Sequence, residues 1–427
     1  MAVADSALRR NVVCPFCALT CDDLTVAVDD GRVSIREGGC EIGRAGFERS
    51  VPDATPLIAG AAVSLDEAVI RAAEILRTSR QPLFAGLAVD VAGVRAVLQL
   101  AERTGGIVDH VGGDGLFRNL RVVQDSGWMT TTLSEVRNHV DFLLIVGPDP
   151  TGQFPRFFER CIGPPETLYA TSRPVPPVVR LGPPESDPMR RATGAAVTEL
   201  PCAIDRLPEV AAALRCLVNG RPLHDSEVAG VSVPELRRLA DRIKAARYSV
   251  VTWMAGAFDF AGADLLIQSL ADLVRDVNQT TRCAALPLAG ADNVIGANQA
   301  CTWQAGVPLR TSFGTGAPEH DPRLYETSRL LDAGEADALV WISALRPLPP
   351  PAGELPTIVI AVPGAPAART PDVFIPVSTP GIDHAGDVFR TDGVVALPLA
   401  KLRTSRFPSA RDVLDRIDRT LRDGGGQ

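Results

Sequence analysis

Apolar residues along the chain form short continuous runs that are separated by longer stretches with helical spacing. Apolar runs lie at 142–146, 248–253, 338–342, 357–362 and 372–377, and a run with one glycine lies at 82–89. Such runs are typical of parallel strands buried on both faces. Between them, Ser64 and Glu67 open an amphipathic segment that continues to about Ser79, and another helical segment ends near Arg103. The pattern predicts an α/β fold with several Rossmann-like units.

The first 56 residues have a different pattern. Alternating positions at 24–28 and 32–35 flank the turn Asp29-Asp30-Gly31, which predicts a β-hairpin. Pro and Gly are concentrated at 163–188, and Gly, Asn, Gln and Thr at 286–322, so both stretches are predicted to be irregular. We expect a small β lobe at 1–56, an α/β domain built from 57–155 and 323–427, and an inserted α/β domain at 156–322. The tail at 424–427 is expected to be disordered.

Composition excludes several classes of protein. The net charge of −8 argues against a nucleic-acid partner, which requires a basic face. No apolar stretch is long enough to span a membrane, and the start has no secretory pattern, so we expect a cytoplasmic protein. Because thiols stay reduced in that compartment, the nine cysteines are expected to be metal ligands, catalytic groups or buried apolar residues.

Four of the cysteines are candidate metal ligands. Cys14, Cys17, Cys21 and Cys40 have the spacing C-x2-C-x3-C-x18-C, with three thiols on one short loop and a fourth from a neighbouring turn. This three-plus-one pattern suits a [4Fe-4S] cluster better than zinc, which usually takes two paired ligands from each of two loops. A cluster, a zinc ion and empty, vestigial thiols are the three alternatives.

A second candidate site lies in the stretch 293–304. Asn293, Asn298, Gln299 and Trp303 offer amides and an indole, which are typical of the lining of a polar pocket. The alternative is that these residues only maintain the fold. The histidines show no metal-binding spacing and no G-x-G-x-x-G motif follows a strand, so neither a second metal site nor dinucleotide binding is predicted.

Several motifs, taken in order, resemble one family. The cysteine-rich opening at 13–24 resembles that of the B-type subunit of formylmethanofuran dehydrogenase, in the molybdopterin oxidoreductase class. Further stretches that resemble this family lie at 132–141, 150–156, 276–281, 293–299, 302–304, 381–383 and 389–393. The resemblance covers the whole chain. It implies a molybdopterin-oxidoreductase-like fold and, in redox-active members, a molybdenum or tungsten pterin with a [4Fe-4S] cluster.

One departure from the family pattern bears on catalysis. The family has a metal-coordinating Cys-His-Gly-Pro-Ser motif before an apolar helix that ends in glycine. Aligning Gly127 with that glycine puts Gly115-Leu116-Phe117-Arg118-Asn119 where the motif belongs. Neither the thiol nor the imidazole is present, so we expect no catalytic residue and no molybdenum or tungsten pterin. The segment 112–119 should hold no metal, and Arg118 should contact a carboxylate or phosphate or fill the vacated space.

This departure resembles the B-type subunit of the bacterial formyltransferase/hydrolase complex. The resemblance implies a non-catalytic scaffold in a hetero-oligomer that serves tetrahydromethanopterin-linked one-carbon metabolism, from formaldehyde to formate, in a pathway related to methanogenesis. It also implies three partners, namely an amidohydrolase-like hydrolase subunit, a formyltransferase subunit and a β-helical C-type subunit, and a nearby furan-type one-carbon carrier. The alternative is a redox-active formylmethanofuran dehydrogenase subunit with a pterin-bound metal and a [4Fe-4S] cluster.

Overall fold

A computed structural model of the chain describes residues 7–164, 166–171, 174–184 and 197–424. Parts of the predicted irregular stretch at 163–188, and residues 425–427 of the predicted disordered tail, lie outside this range. The chain forms two compact units. The first unit consists of Met1–Gly113 and Gly290–Gln427, and the second of Asp114–Ala289.

The first unit contains the following strands and helices. Its strands are β1 (Ala7–Val12), β2 (Leu24–Asp29), β3 (Arg32–Glu37), β4 (Leu57–Ile58), β5 (Ala61–Ala62), β6 (Pro82–Ala88), β7 (Ile107–Val108), β15 (Thr311–Ser312), β16 (Glu319–His320), β17 (Ala338–Ser343), β18 (Thr357–Ala361), β19 (Val373–Pro376), β20 (Gly386–Phe389) and β21 (Ala396–Leu399). Its helices are α1 (Glu41–Phe47), α2 (Leu65–Thr78), α3 (Val91–Thr104), α9 (Val294–Ala305), α10 (Thr327–Asp332) and α11 (Ala410–Asp423), with a 3-10 turn at Ala291–Asn293.

A nine-stranded sheet forms the core of the first unit, in the order β16-β15-β7-β6-β17-β18-β19-β4-β5. Its central strands β7, β6, β17, β18 and β19 are parallel, and antiparallel pairs complete both edges. Every residue of β6, β17 and β18 is buried, as the continuous apolar runs predicted. Helix α2 begins with the predicted capping box, in which Ser64 and Glu67 each bond the other's backbone amide.

The N-terminal lobe is a three-stranded antiparallel sheet in the order β1-β2-β3. Its predicted hairpin turns at Asp30 and Gly31, whose φ angles are 45° and 76°. Two successive positive φ angles are those of the tight turn that suits the twist of paired strands. Strands β20 and β21 form a separate antiparallel pair.

The second unit contains the strands β8 (Phe142–Val146), β9 (Val178–Gly182), β10 (Val197–Pro201), β11 (Glu227–Val228), β12 (Val231–Ser232), β13 (Tyr248–Trp253) and β14 (Arg282–Pro287). Five of them form a parallel sheet in the order β10-β9-β8-β13-β14. Its helices are α4 (Gly113–Ser126), α5 (Leu133–His139), α6 (Leu207–Val218), α7 (Val233–Ala245) and α8 (Ala263–Val277), with shorter turns at Pro150–Gly152, Phe158–Ile162, Ile204–Arg206 and Ala255–Ala257. Apolar residues of these helices and strands form one buried cluster.

The predicted α/β architecture is confirmed, but two details differ. The second unit runs from Asp114 to Ala289 rather than over 156–322, because β8 belongs to the five-stranded sheet while β15 and β16 belong to the nine-stranded one. The predicted irregular stretch 286–322 contains the helix α9. Besides its buried residues, that helix carries the apolar side chains of Ile295 and Trp303 on its other side, so it lacks the single apolar face by which a helix is recognised. Among the described residues, no helix is long and apolar enough to cross a membrane.

Candidate functional site

The loop between β1 and β2 carries three of the four candidate cysteines. The amide of Cys14 donates to the carbonyl of Cys21 at 2.8 Å, and the amide of Thr20 donates to the carbonyl of Cys17 at 3.1 Å. These bonds fold the loop back on itself, and all three cysteines are buried. The loop therefore holds three thiols close together within the N-terminal lobe.

The fourth cysteine approaches this loop from the start of α1. Cys40 is the N-terminal cap of the helix, where its Sγ accepts the amide of Gly43 at 3.4 Å. A side-chain carbon at Gly43 would lie 3.5 Å from Cys14 Sγ and 3.8 Å from Cys40 Sγ. Both sulfurs thus flank one glycine, and the absence of a side chain there keeps the space beside them open.

The electrostatic environment of Cys14 favours the protonated thiol. Burial is the largest cause that raises its pKa well above the usual value, and the neighbouring Cys17, Cys21 and Cys40 raise it further. A metal bound by these sulfurs would displace that proton, because only the thiolate is a strong ligand. The structure thus brings together the four cysteines that the spacing had singled out.

The four cysteines are not arranged as a site for a single ion. A zinc site needs its thiolates about 2.3 Å from one centre, and in the described part of the chain no group of three or more His, Cys, Asp or Glu side chains is arranged to hold a metal ion. A [4Fe-4S] cluster binds each thiolate through a different iron atom, so its sulfurs lie farther apart. Thr20, in the same loop, has a φ of 44° and a buried hydroxyl without a hydrogen-bond partner. A group bound beside the loop would satisfy that hydroxyl.

The segment that departs from the family motif begins helix α4. Gly115 lies directly against the turn at Ala255–Ala257, where a side-chain carbon on Gly115 would be 2.9 Å from both the N and the Cα of Gly256. Real side-chain carbons essentially never come that close to backbone atoms. The backbones of the two segments therefore pack together at a position where no side chain fits.

The polar residues that follow in α4 are bonded within the second unit. Arg118 forms an ion pair with Asp259 at 3.2 Å and donates to the carbonyl of Ala255, also at 3.2 Å. The buried Asn119 accepts the indole N–H of Trp253 at 3.0 Å. The expectation that Arg118 contacts a carboxylate is confirmed, and both side chains tie α4 to the end of β13.

Just before α4, in the first unit, a buried polar network around His110 stabilises the backbone turn at 110–113. His110 Nδ1 accepts the amide of Gly112 at 2.8 Å, and its Nε2 lies 3.0 Å from the carbonyl of Asp292. These partners assign the neutral tautomer with the proton on Nε2, and burial, the largest cause, lowers the pKa of the ring. Asp292, itself buried, pairs with Arg346 through both oxygens. No motif in the sequence singled out His110, whose role depends on residues distant in the chain.

The four candidate pocket residues at 293–304 have mainly structural contacts. Asn293 is buried, donates to the Val89 carbonyl at 2.9 Å and accepts the Phe389 amide at 3.0 Å, so it joins three segments of the first unit. Asn298 accepts the amide of Leu309 at 3.2 Å. The other two face a neighbouring hairpin: Gln299 approaches the Gly393 carbonyl at 3.5 Å, and Trp303, which is 66% exposed, packs edge-on against Phe389.

No family model matches the chain. A curated relative, the B-type subunit of the formyltransferase/hydrolase complex Fhc of Methylorubrum extorquens, is 32% identical over 377 residues, which cover 86% of this chain and 98% of the relative. The chain belongs to this family. Another relative, the B-type subunit of the tungsten-containing formylmethanofuran dehydrogenase 2 of Methanocaldococcus jannaschii, is 27% identical over 407 residues, or 90% of this chain and 92% of the relative. The family that the sequence motifs suggested is therefore confirmed.

Solved structures agree with this assignment. The crystal structure of the formyltransferase/hydrolase complex FhcABCD from Methylorubrum extorquens with methylofuran contains a chain that matches with a TM-score of 0.74 and 29% identity, over 87% of this chain and 100% of that one. Acetylene hydratase from Pelobacter acetylenicus matches with a TM-score of 0.64 and 11% identity, over 97% of this chain and 69% of that one. The second match concerns the fold alone, and it confirms the molybdopterin-enzyme type of fold.

Proposed function

We propose that this chain is a non-catalytic scaffold subunit of a formyltransferase/hydrolase complex in one-carbon metabolism. The observation that carries the proposal is the packing of Gly115, which occupies the place of the family's metal-coordinating cysteine. A thiol there would require the α4 backbone to move away from Gly256, since a side-chain carbon would be 2.9 Å from it. The change is thus more than a side-chain substitution, because the neighbouring backbone occupies the volume that a ligand would need.

The residues around this position also lack the donors that a soft metal requires. Leu116 stands where the family has its histidine, and Arg118, a permanent cation, is already paired with Asp259. Transfer of a formyl group and its hydrolysis need no net electron transfer. A subunit of a complex that catalyses only these two steps therefore needs no redox metal, and it can contribute interfaces alone.

The assembly of a relative supports a proposal for the partners. The neighbouring crystal structure is of a complex of several subunits with methylofuran. We propose that this chain likewise assembles with an amidohydrolase-like hydrolase subunit, a formyltransferase subunit and a β-helical C-type subunit, close to a furan-type carrier. Hydrolysis and transfer are assigned to those other subunits.

The four converging thiols favour a second candidate function, that of a redox-active formylmethanofuran dehydrogenase subunit. A [4Fe-4S] cluster held by Cys14, Cys17, Cys21 and Cys40 would supply one-electron transfer when bound. The subunits of the tungsten-containing relatives share 27% and 26% identity with this chain, so ancestry alone does not distinguish the two functions.

Elemental analysis of the complex, purified without added metals, separates the two candidates. We expect molybdenum and tungsten to be far below one atom per chain, with the hydrolase and formyltransferase subunits co-purifying. Either metal at one atom per chain would overturn the scaffold proposal. Iron is measured in the same sample, because four iron atoms per chain would identify a cluster on the cysteines without implying a pterin centre.

A serine substitution tests whether the cysteines take part in turnover. In the Cys40→Ser complex we expect formate release to be unchanged as long as the subunits stay assembled. Cys216→Ser is the matched control for loss of a thiol, because Cys216, in the second unit, is half-buried like Cys40. Loss of turnover in Cys40→Ser, with assembly and iron content intact, would support electron transfer and contradict the scaffold proposal.

A further inference from the structure

A cavity of about 850 Å³ lies in the first unit, and its lining contains no cysteine. The turn between β2 and β3, the segment that follows α1, and the loop 403–407 form its walls, and Asp383 completes the lining. Cavities of about 300–1,000 Å³ are the usual size for sites that bind small molecules. Its volume therefore suits a ligand rather than a few water molecules.

The lining is rich in charged side chains. It contains five arginines, Arg32, Arg36, Arg49, Arg403 and Arg406, and four carboxylates, Asp29, Glu48, Asp53 and Asp383. Clustered arginines in a concave site concentrate positive potential, which attracts anions. Whether this cluster attracts a ligand depends on how many of the arginines the carboxylates already neutralise.

Three of the carboxylates neutralise three of the arginines. Arg403 bonds the buried Asp383 at 2.7 Å, Arg36 lies 3.6 Å from Asp29, and Arg406 bonds Asp53.

The fourth carboxylate, Glu48, accepts the amide of Ile35 at 3.1 Å and lies 3.5 Å from Arg44, which is not part of the cavity wall. The acids are thus occupied, and two arginines of the wall are left over.

Arg49 and Arg32 have no carboxylate partner among the residues that the structure describes. Arg49 donates only to neutral oxygens, the hydroxyl of Thr379 at 3.0 Å and the carbonyl of Leu345 at 3.5 Å, and its buried Nε has no hydrogen-bond partner. Arg32 is exposed at the start of β3, directly after the turn that joins β2 to β3. A cationic side chain partly removed from water and without a direct ion pair, as Arg49 is, is a costly arrangement that a bound anion would relieve.

The neighbourhood of Arg49 supports this interpretation. Burial, the largest cause, lowers the pKa of Arg49, and the like charge of Arg403 lowers it further, while Asp383 opposes both. Because the guanidinium group stays protonated in proteins, Arg49 keeps its positive charge at neutral pH.

We propose that this cavity binds an anionic small molecule with two or more oxyanion groups, carboxylate or phosphate, held by Arg49 and Arg32. Guanidinium groups recognise both anions through paired, charge-assisted hydrogen bonds. Two unpaired arginines and the size of the cavity favour a ligand with several such groups over a single small ion. This site is independent of the scaffold role and of the cysteine loop.

Calorimetric titration of the full chain, with its partners if they co-purify, tests the proposal. The probes are citrate for carboxylates and pyrophosphate for phosphates, each against sodium chloride at equal ionic strength. Binding of either probe supports the site, and which of them binds identifies the oxyanion. No heat and no shift of the thermal midpoint with either probe would overturn the proposal.

Three single substitutions localise the binding. Arg49→Gln and Arg32→Gln should each weaken the probe that binds by about tenfold, which corresponds to the loss of one charge-assisted hydrogen bond. Arg95→Gln is the matched control, because Arg95 is an exposed arginine on α3 outside the cavity wall. If Arg49→Gln proves unstable, the exposed Arg32→Gln still gives the answer. Equal weakening in Arg95→Gln would show a nonspecific charge effect and overturn the assignment.

Discussion

Replacing Gly115 by alanine tests whether the place of the family's metal ligand is closed by packing. The new methyl group would lie 2.9 Å from the N and the Cα of Gly256. Both are backbone atoms in a short 3-10 turn, so they cannot move aside as a flexible side chain would. Helix α4 or the turn must therefore shift by several tenths of an ångström to accommodate the methyl group.

Two opposing effects set the size of the change. Forcing one carbon into a closely packed site costs about 1–3 kcal/mol. Alanine is favoured over glycine within a helix by about 1 kcal/mol, and by less near a helix start, where Gly115 lies. The clash should win, with a net loss of about 1–2 kcal/mol. For a domain of about 150–250 residues, each kcal/mol lowers the thermal midpoint by about 2–4 °C.

Thermal unfolding followed by circular dichroism measures the effect, and Gly256→Ala is the matched control. A side-chain carbon on Gly256 would meet nothing within 4 Å, so this variant should unfold close to the wild type. If Gly115→Ala is as stable as the wild type while Gly256→Ala is also unchanged, the position can accept a side chain. Packing would then give no reason to exclude a metal centre there.

Three further predictions concern buried polar groups. Burial raises the pKa of Asp90 to about 6. The stability that protonated Asp90 contributes is therefore complete below about pH 4 and is lost as the pH rises through 6, a change of about 3 kcal/mol in the free energy of unfolding. Asp90→Asn, which can still cap α3, should be more stable than the wild type at pH 7.5 but not at pH 4. Arg346→Ala leaves the buried Asp292 without its ion-pair partner, and urea denaturation should show a loss of about 2–3 kcal/mol, because Arg346 is itself half exposed. Asn293→Ala removes two hydrogen bonds to buried backbone groups, with an expected loss of about 2–3 kcal/mol and a smaller loss for Asn298→Ala.

Each of these predictions has an outcome that contradicts it. A stability difference between Asp90→Asn and the wild type that stays constant from pH 4 to pH 8 would exclude titration of Asp90 as the cause. Arg346→Lys should recover part of the loss in Arg346→Ala, and an equal loss in both would point to packing rather than charge. If Asn298→Ala lowers the free energy of unfolding as much as Asn293→Ala does, the role assigned to Asn293 in joining three segments is wrong.

The sequence alone determined the family, the class of fold and most of the secondary structure. Continuous apolar runs identified the parallel strands, because a strand covered on both faces leaves no polar positions. Ser64 and Glu67 marked the start of α2, and Asp30 and Gly31 marked the hairpin, because caps and tight turns depend on neighbouring residues. The spacing of the cysteines was likewise a local signal.

Only the tertiary structure decided the boundaries of the two units and the surroundings of the sites. The assignment of β8 to the five-stranded sheet depends on pairing with β13, about a hundred residues away, which no local pattern encodes. Helix α9 has no distinct apolar face, so its position was invisible to periodicity. The family resemblance predicted that Gly115 stands in the place of a ligand, but only the fold shows that Gly256 packs against it, because contacts between distant segments form only once the chain has packed.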